Sequence, residues 1–169
     1  LRKQEGRMPH LKLIKLMYLA DRQSLDEYGF SITGDLAVSM PHGPVLTMTL
    51  DLINGDVESG RDGWEAWISD RADYEVALRE RERDALDELS EADVGVLDQV
   101  WRRFGAMTKW QIRDYTHDHC PEWQDPQGSS NPIPYERIFE ALGRNKEEAA
   151  QLAERINEQR EIERKFASL

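Results

Sequence analysis

Four side chains that can bind a metal or transfer a proton occur close together, at His117, His119, Cys120 and Glu122. Imidazole and thiolate are ligands that zinc prefers, so the cluster is a candidate metal site. No second spaced pair accompanies it, and His117 falls at a predicted helix end, where a cation suits the helix dipole. We therefore predict no metal and no cofactor. A metal-dependent hydrolase that uses the His117 region is kept as an alternative.

The other candidate for proton transfer is His42, in the run Pro41, His42, Gly43, Pro44. No serine, cysteine or carboxylate at a suggestive spacing accompanies it, so we predict no catalytic residue and no enzymatic activity. The two prolines and the glycine predict a rigid elbow between a strand and a helix. We expect the His42 imidazole to brace this elbow against the first helix through a buried hydrogen bond.

The helix that must position these residues is predicted over 9–28, the most apolar and most regularly patterned stretch of the chain. Apolar residues at helical spacing give it a wide buried face, and Gly29 is typical of the position just past a helix end. Tyr18 is predicted to lie in the core. Asp21 and Arg22 are predicted to form a polar pair near His42.

The rest of the chain predicts further helices and a small antiparallel sheet. Strand patterns occur at 35–40 and in a predicted hairpin of 64–69 with 74–79, and the charged run 79–89 is weakly helical or a solvated link. Capping boxes at Ser90 and Thr108 each predict a helix start. The predicted helices after the first cover 45–53, 90–104, 109–117, 135–142 and 146–166.

These patterns together predict an α+β fold, a mainly helical single domain with a small antiparallel sheet. We expect a domain over 1–145 and an amphipathic helix over 146–169 that packs on the same domain. The net charge of −11 argues against nucleic acid and favours a basic partner. The single cysteine is compatible with a reducing cytosol, and no stretch is apolar and long enough to predict a membrane span. We expect a cytoplasmic protein.

Several motifs in order resemble the Panacea domain of SocA-like antitoxins, found in bacterial and phage toxin–antitoxin modules. They are the run KLIKLMYLADR with Tyr28 and Gly29, then His42, Gly43 and Pro44, and later Leu89, Ser90, Leu97, Phe104, Gly105, His117, Trp123 and the run IPYERIFEAL. The resemblance implies a mostly helical domain that neutralises a cognate protein toxin by direct contact. It also implies an alternative, an adaptor that delivers the toxin to a protease.

Partner contacts are predicted at four positions. Trp110 and Trp123 lie in or beside predicted loops, where an amphipathic ring serves either a core or an interface. We add His117 and Arg22 as candidate contacts. Tyr18, Asp21, His42, Gly43 and Pro44 are predicted to be structural residues of the family motif.

Overall fold

A 19-residue helix, α1, forms the centre of the fold over His10–Tyr28. In this computed structural model, which describes residues 1–60, 63–69, 72–79 and 88–167, α1 packs against helices and strands on several sides. The helix ends where Gly29 adopts a φ of 77° and its N–H donates to the carbonyl of Leu25. A helix surrounded in this way needs the broad apolar surface that its sequence carries.

Six further helices occur in the part of the chain that the structure describes. Those at Ser90 and Thr108 begin with capping boxes, in which the side chain of the cap and the side chain three residues later each accept a backbone N–H. Both predicted starts are confirmed. The helices are α2 (Thr47–Asn54), α3 (Trp64–Trp67), α4 (Glu91–Phe104), α5 (Lys109–His119), α6 (Tyr135–Ala141) and α7 (Lys146–Ala167).

Five short strands form two antiparallel sheets among the described residues. β1 (Arg7–Pro9) pairs with β4 (Glu75–Ala77). The second sheet has the order β3-β2-β5, with β2 at Ala37–Met40, β3 at Gly43–Leu46 and β5 at Asn131–Pro132. The α+β, mainly helical class predicted from the sequence is confirmed.

The predicted elbow at 41–44 is wrong, because Pro41 and His42 form a two-residue hairpin turn between β2 and β3. Gly43 permits the turn with a φ of 93°. The following helix starts at Thr47 instead of residue 45, because the carboxylate of Asp35 accepts the N–H groups of Met48 at 3.0 Å and Thr49 at 2.8 Å. This external cap satisfies donors that the start of a helix leaves free.

The predicted hairpin of 64–69 with 74–79 needs a similar correction. Residues Trp64–Trp67 form one helical turn, and β4 takes β1 as its neighbour instead of the strand at 37–40. The two segments still meet at a bridge between Ile68 and Leu78, where the N–H of Ser69 donates to the carbonyl of Ala77 at 2.8 Å. The charged run 79–89 lies mostly outside the described residues.

The main core joins α1 to α4, α5, α6 and α7. Phe139 of α6 and Ala149 and Ala153 of α7 have no exposed surface, and Ile156 is buried beside them. Farther along α7, the guanidinium of Arg160 donates to the carbonyl of Gly34 and to the hydroxyl of Tyr135. No helix in the described ranges is long and apolar enough to span a membrane.

Candidate functional site: a buried polar centre and an exposed helix face

A buried polar centre lies between α1 and the turn that follows α5. α1 supplies Lys15, Tyr18 and Arg22, which are three and four residues apart and so lie on one side of the helix. Glu122, just after α5, is fully buried and accepts hydrogen bonds from Tyr18 and Arg22. These four side chains are called the polar centre below.

Glu122 is the acceptor of the polar centre. Its carboxylate accepts a hydrogen bond of 2.5 Å from the hydroxyl of Tyr18 and one of 2.6 Å from Nε of Arg22. Burial and the adjacent charge of Glu122 raise the pKa of Tyr18 well above its ordinary value, so the hydroxyl stays a donor. Burial opposes the charge of Arg22, but its hydrogen bond to Glu122 and the charge of that carboxylate outweigh burial and raise the pKa of Arg22.

Lys15 has no exposed surface, and Nζ donates to the carbonyl of Pro44 at 2.6 Å. Burial lowers its pKa to about 7, against the raising influence of the Cys120 sulfur. A Cβ on Gly43 would lie 3.0 Å from Nζ of Lys15 and 2.8 Å from Oγ1 of Thr116. The turn between β2 and β3 therefore closes over the lysine only because residue 43 is a glycine.

His117 and Trp123 pack on each other beside this turn. Their rings stack in parallel with centroids 4.2 Å apart, and Nε1 of Trp123 donates to the carbonyl of Met40 at 2.9 Å. The His117 ring lies against Gly43 of the turn, where an added Cβ would be 3.0 Å from its Cδ2. Among the described side chains, Nε2 of His117 is the buried polar atom without a hydrogen-bond partner. Burial, and then the charge of Lys15, lower the pKa of His117 and favour its neutral form.

The expectation that the His42 imidazole braces the structure is wrong. His42 is exposed at the tip of the hairpin turn, and the position that approaches α1 is Gly43.

Asp21 and Arg22 do not form the predicted pair, because neighbouring residues of a helix point in different directions. Arg22 binds Glu122, whereas Asp21 accepts the N–H groups of Ile32 and Thr33, both at 3.0 Å, and the Thr33 hydroxyl. Burial raises the pKa of Asp21 to about 6, although these hydrogen bonds oppose the rise. Asp21 thus holds the loop after α1.

The cluster considered as a metal site is divided among different contacts. His119 stacks on Tyr115 at 4.3 Å, His117 stacks on Trp123, and Glu122 binds Arg22. Burial raises the pKa of the Cys120 thiol to about 12, so the thiolate that a metal needs is disfavoured. The described ranges contain no group of three or more His, Cys, Asp or Glu side chains able to hold a metal ion.

The outer face of α5 is the part of this region that faces solvent. Trp110 is 50% exposed, with Nζ of Lys109 at 5.2 Å and the guanidinium of Arg113 at 5.0 Å from its ring. Ile112 and Thr116 bury the opposite face of the helix. Of the four predicted partner contacts, Trp110 alone is exposed, while Arg22, His117 and Trp123 make internal contacts.

Residues 13–124, which run from the first turn of α1 to just past Glu122, match the family described as antitoxin SocA-like, Panacea domain. The chain belongs to this family. No curated protein and no solved structure gives a significant match to the Panacea chain. The matched range contains the whole polar centre and the exposed face of α5, so both lie within the Panacea domain itself.

Sequence reasoning missed Glu122 as the acceptor of the polar centre and Lys15 as a buried cation. The sequence pattern places Lys15 in the narrow polar strip of the central helix, and the structure buries this position because the turn between β2 and β3 packs over it. Glu122 carries no local signal, because its partners Tyr18 and Arg22 lie 104 and 100 residues earlier.

Proposed function

We propose that this Panacea chain is an antitoxin that neutralises a cognate protein toxin by direct binding in the cytoplasm. Family membership over residues 13–124 is the observation that supports the proposal. The polar centre contributes a rigid base: its ion pair and hydrogen bonds tie α1 to the end of α5. α5 in turn presents Trp110.

Trp110 is the proposed anchor for the toxin. Tryptophan and arginine are enriched among residues that dominate binding energy, and Trp110 has Arg113 over its ring. Because α5 is held on its inner face by Ile112 and Thr116, an anchor here needs little ordering on binding. The ring can therefore bury its exposed half against a partner at low entropic cost.

The net charge of −11 supports a basic toxin. Charge complementarity acts mainly on the association rate and on the choice of partner, whereas buried anchors determine dissociation. Exposed charges are screened over about 8–10 Å at physiological salt. We expect a rise in salt to slow association strongly and to change dissociation little.

Co-expression with the product of the neighbouring gene tests the proposal. Rescue from that protein's toxicity, with a stable complex that contains intact toxin, is the expected result. Rescue that disappears in strains lacking a protease would instead support the adaptor. Absence of both rescue and co-purification would contradict antitoxin activity toward that protein.

A further inference from the structure

A tight turn before β4 holds two successive residues at positive φ. The backbones of Ala72 and Glu75 exchange two hydrogen bonds, of 2.8 and 3.0 Å, around Asp73 and Tyr74. The φ angles are 50° for Asp73 and 64° for Tyr74. Two-residue hairpin turns with positive φ at both positions strongly favour glycine at the second. A tyrosine there is strained, because a bulky side chain rarely adopts this conformation.

The rest of the fold imposes this strained backbone. The carbonyl of Tyr74 accepts the backbone N–H of His10 at 3.0 Å and a hydrogen bond from Nδ1 of the His10 ring at 2.7 Å. Just after the turn, Val76 of β4 pairs with Met8 of β1, and both side chains are 1% exposed. Strain of this kind persists only where the surroundings fix it, and it is concentrated at functional sites. The fold thus maintains the turn against the preference of the tyrosine.

The Tyr74 side chain itself projects into solvent. It is 71% exposed, and its ring faces the His10 ring with centroids 6.1 Å apart. Burial therefore does not explain a large aromatic residue at this strained position. Tyrosine is enriched among the residues that dominate binding energy, and a fixed backbone reduces the entropy lost on binding.

The helices α1 and α5 run in the same direction. Lys15 of α1 and Thr116 of α5 reach the same point, since a Cβ on Gly43 would lie 3.0 Å from Nζ of the lysine and 2.8 Å from Oγ1 of the threonine. Farther along α1, Tyr18 donates to Glu122, which lies just after the end of α5. Successive contacts thus advance along both helices together. The start of α1 and the start of α5 therefore lie at the same end of the fold.

Tyr74 and Trp110 both belong to this end. His10, the first residue of α1, holds the Tyr74 carbonyl, and Trp110 is the second residue of α5. A direct contact supports the placement, because Nζ of Lys12 donates at 2.6 Å to the carbonyl of Gly105, shortly before α5. This end carries two large aromatic side chains that are 71% and 50% exposed. A standard interface includes about 20–30 residues on each side, so one partner surface can contact more than one anchor.

We propose that Tyr74 is a second anchor for the toxin, which covers the end of the domain where α1 and α5 begin. This inference rests on the proposed antitoxin function and extends the interface beyond Trp110. The strained turn presents the phenol ring already ordered. The toxin surface that meets it carries an apolar recess for the ring.

Tyr74→Gly tests the proposal by separating binding from stability, with the purified product of the neighbouring gene as the partner in surface plasmon resonance. Dissociation should accelerate roughly tenfold or more, because an anchor ring is lost. The melting temperature should be unchanged or higher, since glycine relieves the positive φ and this offsets the added freedom of the unfolded chain. Asp73→Gly is the matched control, because it relieves the neighbouring positive φ and loosens the same turn but keeps the ring. It should dissociate like the parent.

Three outcomes would overturn the inference. Dissociation of Tyr74→Gly at the parent rate does so, and if Trp110→Ala still accelerates dissociation, the proposed function stands without this second anchor. Equal acceleration in Asp73→Gly and Tyr74→Gly would show that the rigidity of the turn, and not the ring, supports binding. Light scattering that finds a dimer of the parent and a monomer of Tyr74→Gly would assign the ring to a second copy of the chain. A parent chain that does not bind the product at all contradicts both proposals.

Discussion

The hydroxyl of Tyr18 donates a hydrogen bond of 2.5 Å to the carboxylate of Glu122 across 104 residues of sequence. Arg22 shares the same carboxylate, with a side chain that is 19% exposed against 0% for Glu122. A buried carboxylate in this position is stabilised only while both donors remain. The contact therefore joins the first helix of the domain to the last turn of the matched region.

Glu122→Gln should lower the free energy of unfolding by about 3 kcal/mol, since it leaves the Arg22 guanidinium without its carboxylate. Chemical denaturation measures the loss. Asp114→Asn is the control, because the Arg113–Asp114 pair lies at the surface and such pairs contribute about 0–1 kcal/mol. Equal losses in the two variants would show that burial does not set the energy of the Glu122 contact.

Gly43→Ala should destabilise the fold by about 3 kcal/mol. The new methyl group would meet Thr116 and Lys15 at 3.0 Å or less, and a φ of 93° is itself unfavourable for alanine. Gly128→Ala separates the two effects, because Gly128 has a φ of 87° with no atom within 4 Å of the added carbon. Thermal melts should show a loss of about 1–2 kcal/mol for Gly128→Ala. Equal losses of stability in Gly43→Ala and Gly128→Ala would mean that a methyl group at residue 43 does not clash with Thr116 or Lys15.

Stability should rise with pH above 7 because of Lys15. Its pKa is about 7 in the fold and 10.5 as the ordinary value, so between these values the unfolded chain binds a proton that the folded chain does not. The free energy of unfolding rises by at most about 1.4 kcal/mol per pH unit. Below pH 7 both states carry the proton, so the free-energy cost of burying the charge no longer changes with pH. Lys15→Met should remove the rise, as measured by urea denaturation from pH 6 to 9.

Lys146→Met is the control for that series, because Lys146 is exposed at the start of α7. It should retain the pH dependence of the parent. A parent whose stability is flat between pH 7 and 9 would contradict the neutral, buried state of Lys15.

Trp110→Ala and Trp123→Ala should separate binding from stability. Trp110 is half exposed, so its loss should accelerate dissociation of the toxin complex, costing about 2 kcal/mol or more, with little change in melting temperature. Trp123 stacks on His117 and donates to Met40, so its loss should lower the melting temperature. Surface plasmon resonance and thermal melts distinguish the two. Unchanged dissociation in Trp110→Ala would remove this residue from the interface.

His42→Ala should change the free energy of unfolding by less than about 0.5 kcal/mol, because the imidazole is exposed in the turn. His117→Ala is the informative comparison, since His117 stacks on Trp123 and lies against Gly43 of the turn. It should destabilise the fold measurably. A large loss in His42→Ala alone would restore the bracing role expected from the sequence.

Sequence reasoning succeeded where the signal is local. The capping boxes of Ser90 with Asp93 and Thr108 with Gln111 involve residues three apart, and both occur as predicted. The central helix was predicted to end at Tyr28, as it does, because its apolar pattern and Gly29 lie within one stretch of chain. Such signals depend on no distant residue.

Several of the failures depend on distant partners. β1 pairs with β4 although Met8 and Val76 are far apart in the chain, and β5 joins β2 through Asn131 and Ser39. Short strands of this kind acquire their identity from their neighbours rather than from their own residues. For the candidate site the sequence indicated Tyr18, Arg22 and Gly43 as important positions, but it could not show that Glu122 receives both donors.

The separation of 100 residues between Arg22 and Glu122 also has a consequence during synthesis. At a synthesis rate of about 5–20 residues per second, Arg22 and Tyr18 leave the ribosome roughly 5–20 s before their acceptor Glu122 does. During that interval the apolar faces of α1 also lack α4 and α5, their later partners in the core. The nascent chain thus passes through a period in which its most apolar helix depends on transient contacts or chaperones, and the domain becomes competent only after Glu122 has emerged.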